Sequence, residues 1–187
     1  MGYVSNLNGL YTITNVLSET RLDLANGNKA DGSKVVAWAP HQPTAGESYG
    51  NQVWEIKPSK SRHCYTIVNA KTGTYLEVVG GMGEITRLGV DGVQVTCSKA
   101  GEDTPSYQEW CFLSGITSTK QPVGSYTIYN SEARLLLDVE GGSRNNGAKI
   151  QIHCALDIGN VKELCWFIEP AEYSKPGTQT TVGTMQS

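Results

Sequence analysis

The chain lacks any run of Lys and Arg, any Cys-x-x-Cys pair and any apolar stretch of the roughly 20 residues a membrane helix needs. Each absence removes a class of function. Fifteen Lys and Arg against eighteen Asp and Glu leave a net charge of -3, so nothing neutralises a phosphate backbone and no nucleic acid partner is expected. No membrane insertion is expected either. Met1 to Asn8 show neither the basic start nor the apolar stretch of a secretory signal, so a soluble, cytoplasmic protein is expected if the chain natively begins there. Cys64, Cys97, Cys111, Cys154 and Cys165 are an odd number in a chain long enough to be stable unaided. They suit reduced thiols better than a disulfide framework.

Catalytic machinery is missing too. No Gly-x-Ser-x-Gly, phosphate-binding glycine loop or nucleotide fingerprint occurs, and Gly80-Gly81-Met82-Gly83 and Gly141-Gly142 have no helical pattern after them. His63-Cys64 and His153-Cys154 do not build a spaced ligand set, so no metal and no cofactor is read from the sequence. The expectation is a non-enzyme.

What is present is glycine, tyrosine and alternation. Twenty-one Gly, nine Tyr and recurring Val, Ile and Thr favour short strands joined by turns. A length of 187 residues suits one domain, placed at 1–173, with a polar tail at 174–187.

The segment Tyr-Thr-Ile-x-Asn occurs three times, at Tyr11 to Asn15, Tyr65 to Asn69 and Tyr126 to Asn130. About ten residues later an acid sits between aliphatics, in Leu22-Asp23-Leu24, Leu76-Glu77-Val78 and Leu137-Asp138-Val139. A third segment alternates with period two, at Lys34 to Trp38, Val93 to Thr96 and Lys149 to His153, as a strand with one buried face does. Aligning its buried positions pairs Trp38 with Thr96 and His153. Each repeat closes on a tryptophan, Trp54, Trp110 or Trp166, at an even spacing of 56 residues. The repeats run at about 9–58, 63–114 and 123–169, and four strands in each give twelve. Three repeats are too few for a propeller. Asn26-Gly27-Asn28, Lys71-Thr72-Gly73 and Asn145-Asn146-Gly147 supply turns between the strands.

Leu-Asp-Leu/Val, an alternating strand and then Gln-x-Trp resemble the ricin B-type lectins, in particular the signal-less ones of mushrooms. Gln-x-Trp is intact at Gln52-Val53-Trp54 and Gln108-Glu109-Trp110, and replaced at Leu164-Cys165-Trp166. The resemblance covers residues 9–169 and implies an all-β fold, a β-trefoil with pseudo-three-fold symmetry. It also implies shallow sugar sites made from the acid, an aromatic of the third strand and an Asn before Gln-x-Trp. Only the first repeat keeps all three, as Asp23, Trp38 and Asn51. A carboxylate accepts vicinal hydroxyls, an indole covers the apolar face of a pyranose and an amide meets a third hydroxyl, which suits galactose and N-acetylgalactosamine. Asn26 and Gly27 are further expected contacts, with His41 and Gln52 at the border.

In the second repeat Glu77, Thr96 and Tyr107 stand at the three positions, and no site is expected. In the third, Asp138, Gln151 on the solvent face and His153 at the platform position accompany Glu163 in place of Asn, which suits a weak or silent site. Trp54, Trp110 and Trp166 are expected in the core, whereas Trp38 lies on the face opposite Val35 and Ala37. Glycans are therefore the expected partners. A single shallow site binds weakly, so a homodimer is expected to supply avidity. Defence against glycan-bearing predators is what the resemblance implies biologically. The competing reading is a β-trefoil protease inhibitor working through a loop, with Pro40 to Gly50, Gly80 to Gly92 and Gly101 to Tyr107 as candidates.

Overall fold

A computed structural model describes residues 2–78, 92–100, 103–114, 121–154 and 161–174. Most of the Gly80 to Gly92 loop with its glycine cluster, the start of the Gly101 to Tyr107 loop and the tail after Ser174 lie outside the described residues. Pro40 to Gly50 is folded, with a 3₁₀ turn over Pro43–Ala45 and one helical turn, α1, over Glu47–Gly50.

Thirteen strands are described. After β1 (Gly2–Tyr3), the first repeat supplies β2 (Gly9–Asn15), β3 (Arg21–Leu24), β4 (Ser33–Trp38) and β5 (Trp54–Pro58). The second supplies β6 (Cys64–Asn69), β7 (Tyr75–Val78), β8 (Val93–Ser98) and β9 (Trp110–Ser114). The third supplies β10 (Tyr126–Asn130), β11 (Leu136–Val139), β12 (Ala148–His153) and β13 (Cys165–Pro170). These are the expected twelve, and β1 is an addition paired to the outer end of β9.

The first and last strands of the repeats close a ring. β2 pairs with β5, β5 with β6, β6 with β9, β9 with β10, β10 with β13, and β13 returns to β2. Six antiparallel strands thus form a barrel without a free edge. The middle hairpins β3–β4, β7–β8 and β11–β12 close a triangle across one end, through β4–β8, β8–β12 and β12–β4. This arrangement is a β-trefoil.

The core repeats with the chain. Ile13, Ile67 and Ile128 come from the Tyr-Thr-Ile segments, Leu22, Leu76 and Leu137 precede the acids, and Trp54, Trp110 and Trp166 close the repeats, all fully buried. Each indole Nε1 donates to the carbonyl before the acid, Trp54 to Leu22, Trp110 to Leu76 and Trp166 to Leu137, at 2.9 to 3.1 Å. A buried indole with its N–H satisfied keeps its full apolar contribution. These bonds also fix where each acid begins.

The repeated Asn has its own task. Asn69 Nδ2 donates to the carbonyls of Gly50, Asn51 and Val53 while its Oδ1 accepts from the Thr72 amide. Asn15 joins Glu163 and Cys165 to the Leu17 and Ser18 amides in the same way, and Asn130 joins Tyr107 and Glu109 to Glu132 and Ala133. One amide side chain therefore welds the entry turn of a repeat to the exit of its neighbour.

The cysteines depart from expectation. Cys64 and Cys111 form a disulfide, because the two are direct register partners on β6 and β9, with Cα atoms 4.5 Å apart. Nothing local in the sequence marks that pairing. Cys97, Cys154 and Cys165 are thiols, and Cys97 occupies the core position held by Ala37 and Ile152 in the other repeats.

No described helix is long and apolar enough to cross a membrane.

Candidate functional site

Asp23 lies in the middle of β3, opposite Val36 on β4, with only 3 % of its surface exposed. Its Oδ2 accepts from Gln52 Nε2 at 2.9 Å, and the same nitrogen donates to the Ala39 carbonyl. Burial pushes the Asp23 carboxyl up from 3.8 to about 6, a rise moderated by the Gln52 bond and the charges of His41 and Lys71. Gln52 is itself wholly buried, and its Oε1 accepts the His41 amide. It holds Asp23 and the His41 loop from beneath, and forms no part of the cleft wall.

Trp38 ends β4 and is 36 % exposed, on the outward face as expected. The third repeat braces it. The Gly147 amide donates to Ala37 O, Asn146 Oδ1 accepts the Ala39 amide, and a Cβ at Gly147 would stand 4.0 Å from the Trp38 ring. Gly147 has φ of +85°, a backbone conformation that excludes most side chains and so keeps this approach close.

Asn51 follows α1, and its carbonyl accepts from the Leu24 amide, tying it to the end of β3. Its side-chain Oδ1 accepts from Lys71 Nζ at 3.2 Å, a contact from the second repeat that nothing in the sequence pattern announced. Asn26 and Gly27 form the left-handed turn after β3, both with φ of +58°. His41 is anchored by Nδ1 against the Ser48 carbonyl at 3.0 Å.

These elements enclose a cleft of about 340 Å³ lined by Asp23, Asn26, Trp38, His41, Asn51 and Gly147, with Val36 and Ala25 among its apolar walls. It combines an acceptor carboxylate, an aromatic face and an amide, and is open enough for one sugar ring.

The second repeat also holds a cleft, about 510 Å³, lined by Asp31, Glu77, Ser98, Lys99, Tyr107 and Gln108 among others. Its size exceeds that of the first, but its chemistry is poorer. Gln108 Nε2 and Ser98 Oγ occupy the two carboxylate oxygens of Glu77, and Ser98 stands where the first repeat has Trp38. Cross-strand register corrects the alignment made from the sequence: Trp38 faces Arg21, Ser98 faces Tyr75 and His153 faces Leu136. Ser98, two residues beyond Thr96, is thus the counterpart of Trp38. Period two fixes which face a residue takes but not how far along the strand it sits. Thr96 lies buried opposite Glu77.

In the third repeat Gln151 is buried, 6 % exposed, rather than on the solvent face, because it is the cross-strand partner of both Asp138 and Gln94 where the hairpins meet. Its Nε2 donates to Asp138 Oδ2 at 3.1 Å, taking the role left by Leu164. Burial raises the Asp138 carboxyl to about 6, and nearby Glu163 adds to the rise. His153 is partly exposed, with Nδ1 against the Cys154 carbonyl at 2.6 Å. No group of three His, Cys, Asp or Glu that could hold a metal occurs among the described residues.

The family model for the ricin-type beta-trefoil lectin domain-like group matches residues 50–153. No curated protein sequence matches the chain. Among solved structures, the designed three-fold symmetric protein ThreeFoil superposes with a TM-score of 0.68 at 20% identity, over 88% of this chain and 100% of that one. The Rhizoctonia solani agglutinin gives 0.67 at 21% identity, over 90% and 99%. The Macrolepiota procera ricin B-like lectin, solved with lactose, gives 0.64 at 20% identity, over 90% and 99%.

Proposed function

The chain belongs to the ricin-type β-trefoil lectin family, and on that footing we propose that it is a non-catalytic lectin for galactose- and N-acetylgalactosamine-type glycans, bound in the first-repeat cleft. One observation carries the reading: Asp23, Trp38 and Asn51 converge on a single open cleft. The Asp23 carboxylate accepts two vicinal hydroxyls, the indole of Trp38 covers the C–H face that an axial 4-hydroxyl leaves apolar, and Asn51 meets a third oxygen. The fungal neighbour held with lactose, a β-galactoside, supports the sugar class.

A site this shallow binds a monosaccharide at about millimolar strength. Two copies of the chain acting together supply the avidity needed for a cell surface or glycoprotein.

A glycan array with the wild type, Asp23→Ala and Trp38→Ala tests this. Galactoside binding by the wild type, lost in both variants, is the expected result. Unchanged binding in both moves the site elsewhere. No binding by the wild type, together with inhibition of a protease, replaces the lectin reading with the inhibitor one.

A further inference from the structure

Lys71 sits in the turn between β6 and β7 of the second repeat, yet its ammonium group reaches Asn51 in the wall of the first-repeat cleft. Nζ donates to Asn51 Oδ1 at 3.2 Å, and its charge favours the ionised form of Asp23. The left-handed turn at Gly27 closes over this pair. A Cβ there would fall 2.5 Å from Asn51 Oδ1 and 2.7 Å from Lys71 Nζ, so only a glycine backbone packs so close.

An asparagine amide is nearly isosteric end for end, and its neighbours decide which end faces where. An ammonium group donates and never accepts. With one lone pair of Oδ1 taken by Lys71 and the Gly27 backbone packed against the same oxygen, the two Nδ2 hydrogens are the main offer of the amide to a ligand. The Asn51 backbone is fixed separately, by the Leu24 amide and by Asn69 Nδ2 at 3.1 Å on its carbonyl. Backbone and side chain of Asn51 are thus both set from outside its own segment.

The other repeat boundaries provide an internal control. Two residues after the repeated Asn stand Leu17, Lys71 and Glu132, and the positions matching Asn51 are Glu163 and Tyr107. In the third repeat Gly142 closes over Leu17 Cδ2 and Glu163 Cγ, at 2.6 and 3.3 Å from its would-be Cβ, the place where Gly27 meets Lys71 and Asn51. Glu132 instead accepts from Ser106 Oγ at 2.5 Å. The ammonium–amide pair stands at the one boundary whose cleft also carries an indole.

We propose that Lys71 is a positioning residue for sugar binding: by holding Asn51 Oδ1 it commits Asn51 Nδ2 to donate to the ligand. The cleft then offers acceptors from Asp23 and donors from Asn51 at fixed places. It selects a ring whose donating hydroxyl pair lies beside an accepting oxygen. The proposal rests on the first-repeat lectin reading above.

Calorimetric titration with methyl β-galactoside tests it on the wild type, Lys71→Met, Lys71→Arg, Asn51→Ala and the double variant Asn51→Ala/Lys71→Met, each checked by thermal melting. Lys71→Met is expected to weaken binding about tenfold, as loss of a charge-assisted hydrogen bond does, with Lys71→Arg restoring most of it. In the Asn51→Ala background Lys71→Met is expected to cost nothing further, since Lys71 acts through Asn51. Wild-type affinity in Lys71→Met overturns the proposal. So does an equal loss in both backgrounds, which would mean that Lys71 acts on the sugar directly or through Asp23 rather than through Asn51. A wild type that binds no galactoside overturns the lectin reading along with it, and that result differs visibly from a binding wild type with an additive cycle.

Discussion

Gln52 Nε2 donates to Asp23 Oδ2 at 2.9 Å while its Oε1 accepts the amide of His41, so one buried side chain locks the acid and the loop that borders it. The Gln of Gln-x-Trp is a strut under the cleft. Gln108 repeats the arrangement under Glu77.

Replacing Gln52 by Leu leaves the buried Asp23 carboxylate without this partner, at a cost of about 1–3 kcal/mol, and frees the part-buried amide of His41. Chemical denaturation should show that loss. Galactoside affinity should fall as well, although Gln52 is out of reach of the sugar, and retention of both would refute the strut.

Sugar binding should weaken in acid. Burial holds the Asp23 carboxyl at about 6, and a protonated carboxyl no longer accepts from two hydroxyls. Between pH 7 and pH 5 the ionised fraction falls about tenfold, and affinity measured by titration should follow it. A flat profile over that range would exclude Asp23 as the acceptor.

Stability has the opposite sign. Asp23 and Asp138 hold protons more tightly folded, at about 6, than at the ordinary value of 3.8. Their contribution is unfavourable above about pH 6 and is relieved as pH falls from there toward 3.8. Asp138→Asn lacks its share of that relief, so the wild type should gain melting temperature relative to it between pH 8 and pH 4.5. A constant difference would mean that Asp138 is not perturbed.

Asn69 and Asn130 make the same weld at different boundaries, but only Asn69 grips the Asn51 carbonyl. Asn69→Ala and Asn130→Ala should both destabilise by about 1–3 kcal/mol, while Asn69→Ala alone impairs galactoside binding. Equal effects on binding would show that the loss is global.

The Cys64–Cys111 bond closes a loop with a sequence separation of 47, which in the chain-entropy description stabilises by about 4 kcal/mol. A reductant should lower the melting temperature of the wild type and leave Cys64→Ser/Cys111→Ser unaffected. Thiol titration of the unfolded, unreduced protein should find the three cysteines outside the bond.

Trp54, Trp110 and Trp166 were legible as core because each repeat confirms the others, and the outward Trp38 because period two separates strand faces. The convergence of Asp23, Trp38 and Asn51 was legible only through family resemblance, since chain order does not say that α1 lies against the end of β3. Ser98, Gln151 and Cys64–Cys111 were not legible: each depends on which residue faces which across two strands, and alternation is blind to that. Lys71, Asn146 and Gly147 escaped for a related reason. They belong to other repeats: the β5–β6 pairing of the barrel brings Lys71 to the cleft, and the β12–β4 side of the triangle brings Asn146 and Gly147.

The seam between β2 and β13 joins Tyr11 to Pro170 and Asn15 to Trp166, nearly the two extremes of the folded chain. With β5 alone in place β2 is paired along one edge, and the barrel cannot shut before β13 is present. Until then β2 and β10 expose bare backbone to any neighbouring strand. Pairing of Trp166 with Asn15 on one side and with Tyr126 on the other is thus what removes the last two open edges of the barrel.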